Sequence, residues 1–326
     1  MNAALSDARS ASRTTKLAVV GAGAVGSTLA YAALARGSAR TIALLDVNKA
    51  KVEAEVLDLQ QGLMFTPQAE VIGSDDVAVC ADADVVVVTA GAKQKPGQTR
   101  LDLAEATIEL TAKILPGLVE VAPDAVYVMV TNPVDVVTYA ALRISGLPRE
   151  RLFGSGTVLD SSRLRVVLAE RCGVAVGNVH AYIAGEHGDS EIALWSSATI
   201  AGVPLLNWTP FPGAKPLDEE SREAVHREVV DSAYRIISGK GATNYAIGLA
   251  ATRIIEAVLQ DEHAVMPVSS LLEDYYGISD VCLSLPSLVD RRGVTQNVPV
   301  PLSDQELAGL RASAESVRAV QKRFGL

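Results

Sequence analysis

The sequence predicts an α/β protein in which a doubly wound parallel sheet, with helices on both faces, precedes a less regular α+β half. In the first half the apolar runs are continuous rather than alternating, as is typical of strands buried on both faces of a parallel sheet. Helical patterns separate these runs, as the crossovers between parallel strands require. The chain of 326 residues is also long for a single core, which favours two domains.

The predicted elements of the first half alternate between strand and helix. The strands are predicted at residues 16–20, 41–46, 69–72, 85–89 and 126–130, and the helices at residues 24–36 and 48–65, with another beginning near Leu101. We expect residues 16–156 to form this domain. Residues 1–15 are small and polar and lack the apolar stretch of a secretory signal; their composition would suit a transit peptide, but we expect a flexible tail.

Residues 157–326 are expected to form the α+β domain. Its predicted elements are helices at residues 158–171, 218–237 and 244–259, a strand over residues 179–184, and short strands within residues 283–300 with a turn at 291–293. Gly239 and Gly241 are expected to break the chain before the third of these helices. Ser303 and Glu306 have the spacing of a capping box, which predicts that a C-terminal helix begins there.

Composition and charge exclude several classes of protein. The formal net charge of −9 argues against a nucleic-acid partner, because phosphate contacts need a basic face. No apolar run approaches the roughly 18 residues that span a membrane. The three cysteines, Cys80, Cys172 and Cys282, have neither a pairing nor a metal-ligand pattern, so no metal site is expected. Inert thiols of this kind predict a reducing, cytoplasmic compartment.

The motif GAGAVG at residues 21–26 follows the first predicted strand and opens the first helix. Glycines there permit a tight turn and close approach of a pyrophosphate to the backbone, and the helix N-terminus stabilises phosphate charge. Asp46, ending the second strand, would accept from both ribose hydroxyls and repel a 2′-phosphate, a preference that Lys49 and Lys51 weaken slightly. The sequence therefore predicts a Rossmann domain that binds NAD rather than NADP; a structural turn beside a surface aspartate is the alternative.

Residues 90–100, AGAKQKPGQTR, connect a predicted strand to a predicted helix. In an open α/β sheet, ligands bind in the crevice beyond the carboxyl ends of the strands, where this loop would lie. The loop carries a cation, Arg100, and a neutral amide, Gln94. Whichever of these two residue types faces the far end of a substrate decides what the site accepts.

His187 lies between glycines in GEHGD, just after a predicted strand. Such a histidine is poorly placed for core packing, and its pKa near neutrality would let it exchange a proton with a substrate hydroxyl. Among the other histidines, His226 is expected on the solvated face of a charged helix and His263 in a loop. Taken alone, His187 is equally well explained as a structural turn residue.

Asp160 and Arg163 are three residues apart in GTVLDSSR and share one face of a predicted helix. A surface ion pair of little energy would explain them. Because the surrounding residues are apolar, however, we expect both charges to face a polar cleft. Arg165 lies about 200° around the helix from Arg163 and cannot serve the same site.

These motifs together resemble the lactate/malate dehydrogenase family. The resemblance runs from about Lys16 to the C-terminal helix and rests on GAGAVG, AGAKQKPGQTR, VTNPVD, GTVLDSSR, GEHGD and KGAT, in that order. It implies an NAD-dependent oxidoreductase that assembles as a homotetramer. The residues then expected to contact NAD are Gly21, Gly23, Val25, Gly26, Asp46, Lys51, Thr89, Ala90, Gly91, Ala92, Val130, Thr131, Asn132 and Ile247.

The resemblance also implies the chemistry. His187 would protonate a ketone oxygen as a hydride arrives, and Asp160 would orient the imidazole and stabilise its protonated form. Arg163 would bind the substrate carboxylate through a bidentate fork, while Arg100 would polarise the carbonyl. The remaining residues implied to contact the substrate are Gln94, Asn132 and Thr243.

Gln94 carries the choice of substrate within the resemblance. It matches the lactate-type residue, where malate dehydrogenases have arginine, and this favours pyruvate and L-lactate. Oxaloacetate would bring a second carboxylate that Gln94 leaves without a countercharge, which is costly to bury. A malate or other 2-hydroxy-acid dehydrogenase remains the alternative, bulkier 2-oxo acids stay open, and a non-catalytic NAD-binding protein is a third hypothesis.

Arg165 and His180 suggest regulation. His180 lies an odd number of residues from His187, so the two would face opposite sides of an extended segment. In bacterial members that the chain resembles, an arginine and a histidine at these positions bind fructose 1,6-bisphosphate across a subunit twofold axis. The resemblance therefore implies an allosteric activator, with an interface arginine and a histidine that bind no ligand as the alternative.

Overall fold

A computed structural model describes residues 14–91, 100–211 and 213–326, with side chains described from Leu103 onward in the helix that begins at Arg100. The first half holds six parallel strands, in the order β3-β2-β1-β4-β5-β6 across the sheet. The strands are β1 (Lys16–Val20), β2 (Thr41–Leu45), β3 (Glu70–Ser74), β4 (Val85–Val88), β5 (Val126–Met129) and β6 (Leu152–Gly154). The helices are α1 (Ala24–Arg36), α2 (Lys49–Gln61), α3 (Arg100–Val121) and α4 (Val134–Ser145). The sequence predicted a doubly wound parallel sheet of this kind, although it gave no strand order and did not predict β6.

Both faces of the parallel sheet are buried. In β1, Leu17 and Val19 pack into one apolar cluster, whereas Ala18 and Val20 pack into another on the opposite face. All four valines of β4 are buried in the same alternating way. The continuous apolar runs of the sequence are therefore explained, because a strand covered on both faces needs an apolar residue at every position.

Three long strands of the second half extend this sheet. They are β12 (Ala264–Leu271), β13 (Cys282–Asp290) and β14 (Gly293–Asn297), and β12 runs antiparallel beside β6 to give nine strands. The β13–β14 hairpin turns where the sequence predicted. No pattern predicted β12, because Pro267, Ser269 and Ser270 interrupt its apolar residues.

The remaining elements of the second half are short strands and long helices. The strands are β7 (Val179–His180), β8 (Ile183–Ala184), β9 (Ile192–Ala193), β10 (Thr199–Ile200) and β11 (Val203–Pro204), and the helices are α5 (Val158–Cys172), α6 (Glu219–Lys240), α7 (Tyr245–Leu259) and α8 (Asp304–Arg323). The prediction of one strand over residues 179–184 was wrong. β7 ends at His180 and pairs with β10, whereas β8 begins at Ile183 and pairs with β9 in a different sheet.

Helix ends follow local capping chemistry. The predicted helix over residues 48–65 ends earlier, at Gln61, and Leu63–Phe65 form a single 3₁₀ turn. α6 continues through Gly239 and ends at Lys240, and its C-cap residue Gly241 has a φ of 84°, in the left-handed region. The capping box is confirmed: Ser303 Oγ accepts from the Glu306 amide, and the Glu306 carboxylate accepts from the Ser303 amide. None of the helices in the described part of the chain is long and apolar enough to cross a membrane.

Candidate active site

The predicted cofactor residues gather at one edge of the parallel sheet. β1 lies beside β4, and β4 lies beside β5. The segments that leave the carboxyl ends of these strands are residues 21–26, 89–91 and 130–132, and they therefore lie next to one another. This edge is the crevice in which open α/β sheets bind ligands.

The glycines of residues 21–26 are required by close contacts. Gly21 has φ 100°, and a Cβ there would lie 2.8 Å from the amide nitrogen of Ala90. A Cβ at Gly26 would lie 1.8 Å from the carbonyl oxygen of Gly21, so only glycine fits. At Gly23, in contrast, an added Cβ would have no atom of the described residues within 4 Å. Gly21 and Gly26 thus serve packing, whereas Gly23 borders open space.

Hydroxyl groups join the neighbouring segments of this edge. Thr89 Oγ1 donates to the carbonyl oxygen of Gly21 at 2.9 Å, and Thr131 Oγ1 donates to that of Ala90 at 2.8 Å. Gly91 is held close to Thr131, since a Cβ on Gly91 would lie 2.3 Å from Thr131 Cγ2. The three segments therefore form one rigid surface.

Asp46 lies directly after β2 and is held by the backbone. Its Oδ2 accepts from the amide of Ala22 at 2.8 Å, and its Oδ1 accepts from the amide of Asn48 at 3.0 Å. Asn48 in turn caps α2 by accepting from the amide of Lys51. The carboxylate is thus fixed beside the glycine-rich turn, where a ribose would follow a pyrophosphate.

The edge fits a dinucleotide. α1 begins at Ala24, and its N-cap residue Gly23 has no side chain to occupy the first amides of the helix, which leaves them for phosphate oxygens. Val25 and Ile247 are half-buried against the core beneath this edge. The predicted contact Ala92 lies outside the described residues.

Asp160 joins the two other predicted catalytic residues. Its Oδ2 lies 2.6 Å from Nδ1 of His187, and its Oδ1 accepts from Nη1 of Arg163 at 2.5 Å. The side chains of Asp160, Arg163 and His187 are 4%, 12% and 25% exposed. Asp160 and Arg163 are therefore not a surface ion pair. Of the three hydrogen-bonded side chains, only that of His187 is appreciably exposed to solvent.

Backbone contacts hold α5 against the segment before His187. Thr157 Oγ1 donates to the carbonyl oxygen of Ile183 at 2.6 Å, and Ser161 Oγ accepts from the Ile183 amide at 2.8 Å. Gly185 then pairs with Ser284 of β13 and has φ 91°, which turns the chain sharply. These contacts bring His187 over the first turn of α5, which contains Asp160.

The charges set the protonation of His187. Burial lowers the pKa of His187, but the nearby carboxylates, chiefly Asp160 through its charge and its hydrogen bond and then Asp135 and Glu191, together raise it to about 9. Burial in turn opposes ionisation of Asp160, but His187 and Arg163 outweigh it and lower the pKa of that carboxyl. The geometry therefore favours a protonated imidazole beside an ionised aspartate at neutral pH.

Sequence reasoning missed Asp135. This residue is buried in the first turn of α4, and its Oδ2 accepts from the backbone amide of His187 at 2.7 Å. Its Oδ1 accepts from Ser269 Oγ at 2.6 Å. The sequence did contain a sign of this residue. Asp135 ends the motif VTNPVD, and an acidic residue at the start of a strongly apolar helix suggests a specific partner.

Sequence reasoning also missed a buried pair behind the site. Glu191 Oε1 and His226 Nε2 are 4.0 Å apart, and each is buried without a hydrogen-bond partner among the described residues. The expectation that His226 is solvated holds only in part: its side chain is 30% exposed, but its Nε2 atom is buried and points towards Glu191. Burial and the nearby Asp160 charge raise the pKa of Glu191 to about 8, and burial lowers the pKa of His226.

Asp160, His187 and Glu191 also have ligand atoms within 4.8 Å of one another, a set that could hold a metal ion. Both oxygens of Asp160 already have partners in Arg163 and His187. A cation there would compete with Arg163 and His187 for the Asp160 carboxylate. The arrangement is therefore better suited to moving a proton than to binding a metal ion.

The other predicted substrate residues are placed less completely. Asn132 is exposed after β5, and Thr243 lies between α6 and α7 with its hydroxyl buried and lacking a hydrogen-bond partner in the described part of the chain. Arg100 begins α3, but its side chain is not among those described. Gln94 lies outside the described residues.

Arg165 and Arg163 have different partners although both lie on α5. Arg165 Nε donates to the carbonyl oxygen of Ala181 at 3.0 Å, and its guanidinium lies 5.0 Å from the ring centre of Tyr182. His180 is exposed next to Ala181. The argument that His180 and His187 face oppositely on one extended segment was wrong, because β7 and β8 belong to different sheets.

Comparisons with known proteins agree with this geometry. The chain is 59% identical over 313 residues to an L-lactate dehydrogenase of Bifidobacterium animalis subsp. lactis, which covers 96% of this chain and 98% of that protein. It is 45% identical over 305 residues to one of Thermoanaerobacter sp., covering 94% and 97%. The crystal structure of a minor L-lactate dehydrogenase from Enterococcus mundtii superposes with a TM-score of 0.91 at 39% identity, covering 95% and 98%.

Two family models match adjacent parts of the chain. The model described as lactate/malate dehydrogenase, NAD binding domain, matches residues 15–154. The model described as lactate/malate dehydrogenase, alpha/beta C-terminal domain, matches residues 157–324. These two models together cover nearly all of the described residues, and the glycine-rich edge and the buried charges agree with them. The chain therefore belongs to the lactate/malate dehydrogenase family of NAD-dependent oxidoreductases.

Proposed function

We propose that this protein is an L-lactate dehydrogenase that interconverts pyruvate and NADH with L-lactate and NAD. The observation that carries the proposal is the set of side-chain hydrogen bonds that joins Arg163 to Asp160 and Asp160 to His187. It offers a carboxylate-binding cation and a proton donor in one rigid unit. The names of the relatives, two of which are above 40% identity over nearly the whole chain, support the same activity.

His187 handles the proton. Nδ1 is engaged by Asp160, which leaves Nε2 to donate to the keto oxygen of pyruvate. When bound, the reduced cofactor supplies the hydride to the keto carbon. The ionised Asp160 holds the imidazole in one orientation and stabilises its protonated form, and in the reverse direction neutral His187 accepts the hydroxyl proton of L-lactate.

Other side chains bind the substrate and polarise it. Arg163 is fixed by Asp160 at Nη1, so the rest of its guanidinium is held ready for the pyruvate carboxylate. Arg100 and Asn132 would polarise the keto oxygen, and Thr243, whose buried hydroxyl lacks a partner among the described residues, would line the pocket.

Gln94 gives the preference for pyruvate over oxaloacetate in this proposal. An uncharged amide leaves the second carboxylate of oxaloacetate unpaired, and burying that charge is costly. The test compares NADH oxidation with pyruvate and with oxaloacetate, for the natural protein and for Gln94→Arg. We expect pyruvate to be preferred and the substitution to shift preference towards oxaloacetate. If the natural protein prefers oxaloacetate, the malate alternative replaces this proposal, and if no 2-oxo acid is reduced, the protein is not such a dehydrogenase.

We further propose that fructose 1,6-bisphosphate activates a homotetramer of this chain through Arg165 and His180. The support is the placement of Arg165 against the residues that follow His180, together with the exposed His180 ring, which could meet an anion at a subunit contact. The test titrates the bisphosphate against pyruvate saturation for the natural protein and for Arg165→Gln/His180→Ala. Identical saturation curves with and without the bisphosphate would refute the activation.

Two smaller proposals concern the domain boundaries and the location of the protein. We propose that residues 16–156 form the NAD domain and residues 157–326 the catalytic domain, after a tail at residues 1–15. We also infer a cytoplasmic location, supported by three cysteines that are all buried and unpaired. Limited proteolysis tests the first, because cleavage within the tail should leave activity unchanged.

A further inference from the structure

Asn244 precedes α7 but does not cap it. An asparagine just before a helix usually accepts a hydrogen bond from one of the first helix amides. The Asn244 side chain makes no such bond. Instead, its Oδ1 accepts from Nζ of Lys240 at 2.5 Å, and its Nδ2 donates to Oγ1 of Thr28 at 2.9 Å. The side chain therefore joins other elements rather than beginning its own helix.

The directions of these hydrogen bonds follow from the groups involved. A lysine ammonium can only donate, so the carbonyl oxygen of Asn244 faces Lys240 and its amide nitrogen faces Thr28. Thr28 Oγ1 in turn donates to the carbonyl oxygen of Ala24 at 2.7 Å. The series of hydrogen bonds therefore runs in one direction, from Lys240 at the end of α6 to Ala24 at the start of α1.

The connection between α6 and α7 contains Thr243. The Lys240–Asn244 hydrogen bond joins the two ends of this connection, and the Lys240 ammonium also lies 3.9 Å from the ring centre of Tyr245, the first residue of α7. The Thr243 hydroxyl, which we propose lines the substrate pocket, has no hydrogen-bond partner of its own among the described residues. Its position therefore depends on how Lys240 and Asn244 are held.

The helix α7 is joined to α1 near both ends. Near its start, Gly248 lies so close to α1 that a Cβ there would be 2.8 Å from Thr28 Cγ2. Near its end, the Glu256 carboxylate accepts from Arg36 at 2.7 Å and from Ser38 at 2.8 Å. The first amides of α1 are those left for phosphate oxygens. One packed pair of helices therefore connects the pyrophosphate side of the site to the segment that precedes α7.

We propose that Asn244 is a positioning residue, which couples the binding of NADH at α1 to the placement of residues 241–248. When the first turn of α1 is held by bound cofactor, the hydrogen bond from Asn244 to Thr28 holds Thr243 and Ile247 as well. Because such coupling is reciprocal, a substrate that orders residues 241–248 should tighten the binding of NADH. The consequence for pyruvate rests on the proposed function, whereas the response of residues 241–248 to NADH does not.

Hydrogen–deuterium exchange measures this coupling without turnover. In the natural protein, we expect saturating NADH to slow amide exchange in residues 241–248 by about threefold to tenfold, the range for one hydrogen bond. Thr28→Val keeps the size of the side chain but offers Asn244 no acceptor, so the slowing should be lost. Thr28→Ser keeps the hydroxyl and should retain it. A natural protein without this slowing would overturn the proposal.

Ser38→Ala is the matched control, because it also deletes one hydroxyl that joins the end of α1 to α7. That hydroxyl contacts Glu256, which lies at the opposite end of α7 from Thr243. The variant should have a lower melting temperature but should keep the slowing of exchange by NADH. Equal loss of the slowing in Ser38→Ala and Thr28→Val would mean that the hydrogen bond to Thr28 serves only stability, and would overturn the proposal.

Pyruvate reduction tests the consequence for the substrate. Asn244→Ala removes both hydrogen bonds of the side chain and leaves His187 and Asp160 in place. We expect KM for pyruvate to rise by about threefold to tenfold and kcat to change by less than about twofold, because the proton donor is not displaced.

The same variant should lose the slowing of exchange by NADH, which covers the case in which Thr28→Val does not fold. A response to NADH in Asn244→Ala equal to that of the natural protein would overturn the proposal, whatever the value of KM. Failure of the proposed function would appear separately, as a natural protein that binds NADH but reduces no pyruvate.

Discussion

The edge at residues 21–26 is held by backbone groups and glycines, whereas the site around His187 is held by buried charges. At the edge, the Ala22 amide bonds to Asp46, and a Cβ at Gly26 would collide with the Gly21 carbonyl. In the site, Asp160 links a histidine to an arginine with very little exposure to solvent. The first region is therefore governed by shape and the second by charge.

This difference predicts different sensitivities. A region governed by shape should respond to one added methyl group and hardly at all to pH. A region governed by buried charge should respond strongly to the loss of a charge, even when the substitution keeps the shape of the side chain. Substitutions that change only the shape or only the charge of a side chain test whether the two regions differ in this way.

The largest effect is expected from Asp160→Asn, which keeps the shape and removes the charge. The amide cannot stabilise protonated His187, and it presents a donor where an acceptor is needed. We expect kcat/KM for pyruvate to fall by about 10²–10⁴-fold, the range for general acid–base groups. Steady-state assays of NADH oxidation measure it.

Asp290→Asn is the matched control for that loss. Asp290 is also fully buried and paired with an arginine, Arg292, at 2.7 Å, but it lies in the β13–β14 hairpin. This variant should lose stability while each folded molecule keeps its activity. Equal losses of activity in both variants would mean that Asp160 matters only for folding.

A smaller effect is expected from added methyl groups at the edge. Gly26→Ala should lower the free energy of unfolding by about 1–3 kcal/mol or more, as overpacking does. Gly23→Ala should leave the melting temperature unchanged, since its Cβ meets no atom of the described residues, but should weaken NADH binding by about tenfold, or 1.4 kcal/mol, because the backbone there approaches the pyrophosphate. Thermal unfolding and NADH fluorescence titration separate the two. If both variants bind NADH normally, the glycine-rich turn is not the pyrophosphate site.

The two regions also differ in how far the sequence predicted them. The glycine turn, Asp46 and the capping box at Ser303 depend on neighbours within a few residues or on strand order, so local patterns were sufficient. The burial of both faces of the sheet was likewise predictable, because β4 consists of four consecutive valines. The strand β12 was not predicted, because Pro267, Ser269 and Ser270 interrupt its apolar residues.

Around His187 the same limit applies. Asp160 and Arg163 were paired from helical spacing, and His187 from its glycine neighbours and the family resemblance. Asp135 was missed because its partner amide lies 52 residues away, at His187. The nearness of His226 Nε2 to Glu191 was missed because a single helix with mixed charges does not reveal which neighbour its residues meet. Contacts between distant segments are the part that local patterns leave undetermined.

The smallest effect, and one that refines the comparison, is expected from Glu191→Gln. Burial raises the pKa of Glu191 to about 8, so between its ordinary value of 4.5 and pH 8 the folded protein retains a proton that the unfolded chain has lost. This linkage lowers the free energy of unfolding as pH rises through that window. Glutamine removes the linkage, so the melting temperature of the variant relative to the natural protein should increase from pH 5.5 to pH 8.

Glu256→Gln gives the opposite sign for the same chemical change. Arg36 and Ser38 outweigh burial and lower the pKa of Glu256, so its contribution to stability is present above its ordinary pKa and is lost only as pH falls below it. Between pH 5.5 and pH 8 this variant should therefore be less stable than the natural protein by a constant amount. A constant difference for Glu191→Gln as well would mean that Glu191 is ionised in the folded protein. The cluster around His187 would then carry one more negative charge than we assign to it at neutral pH.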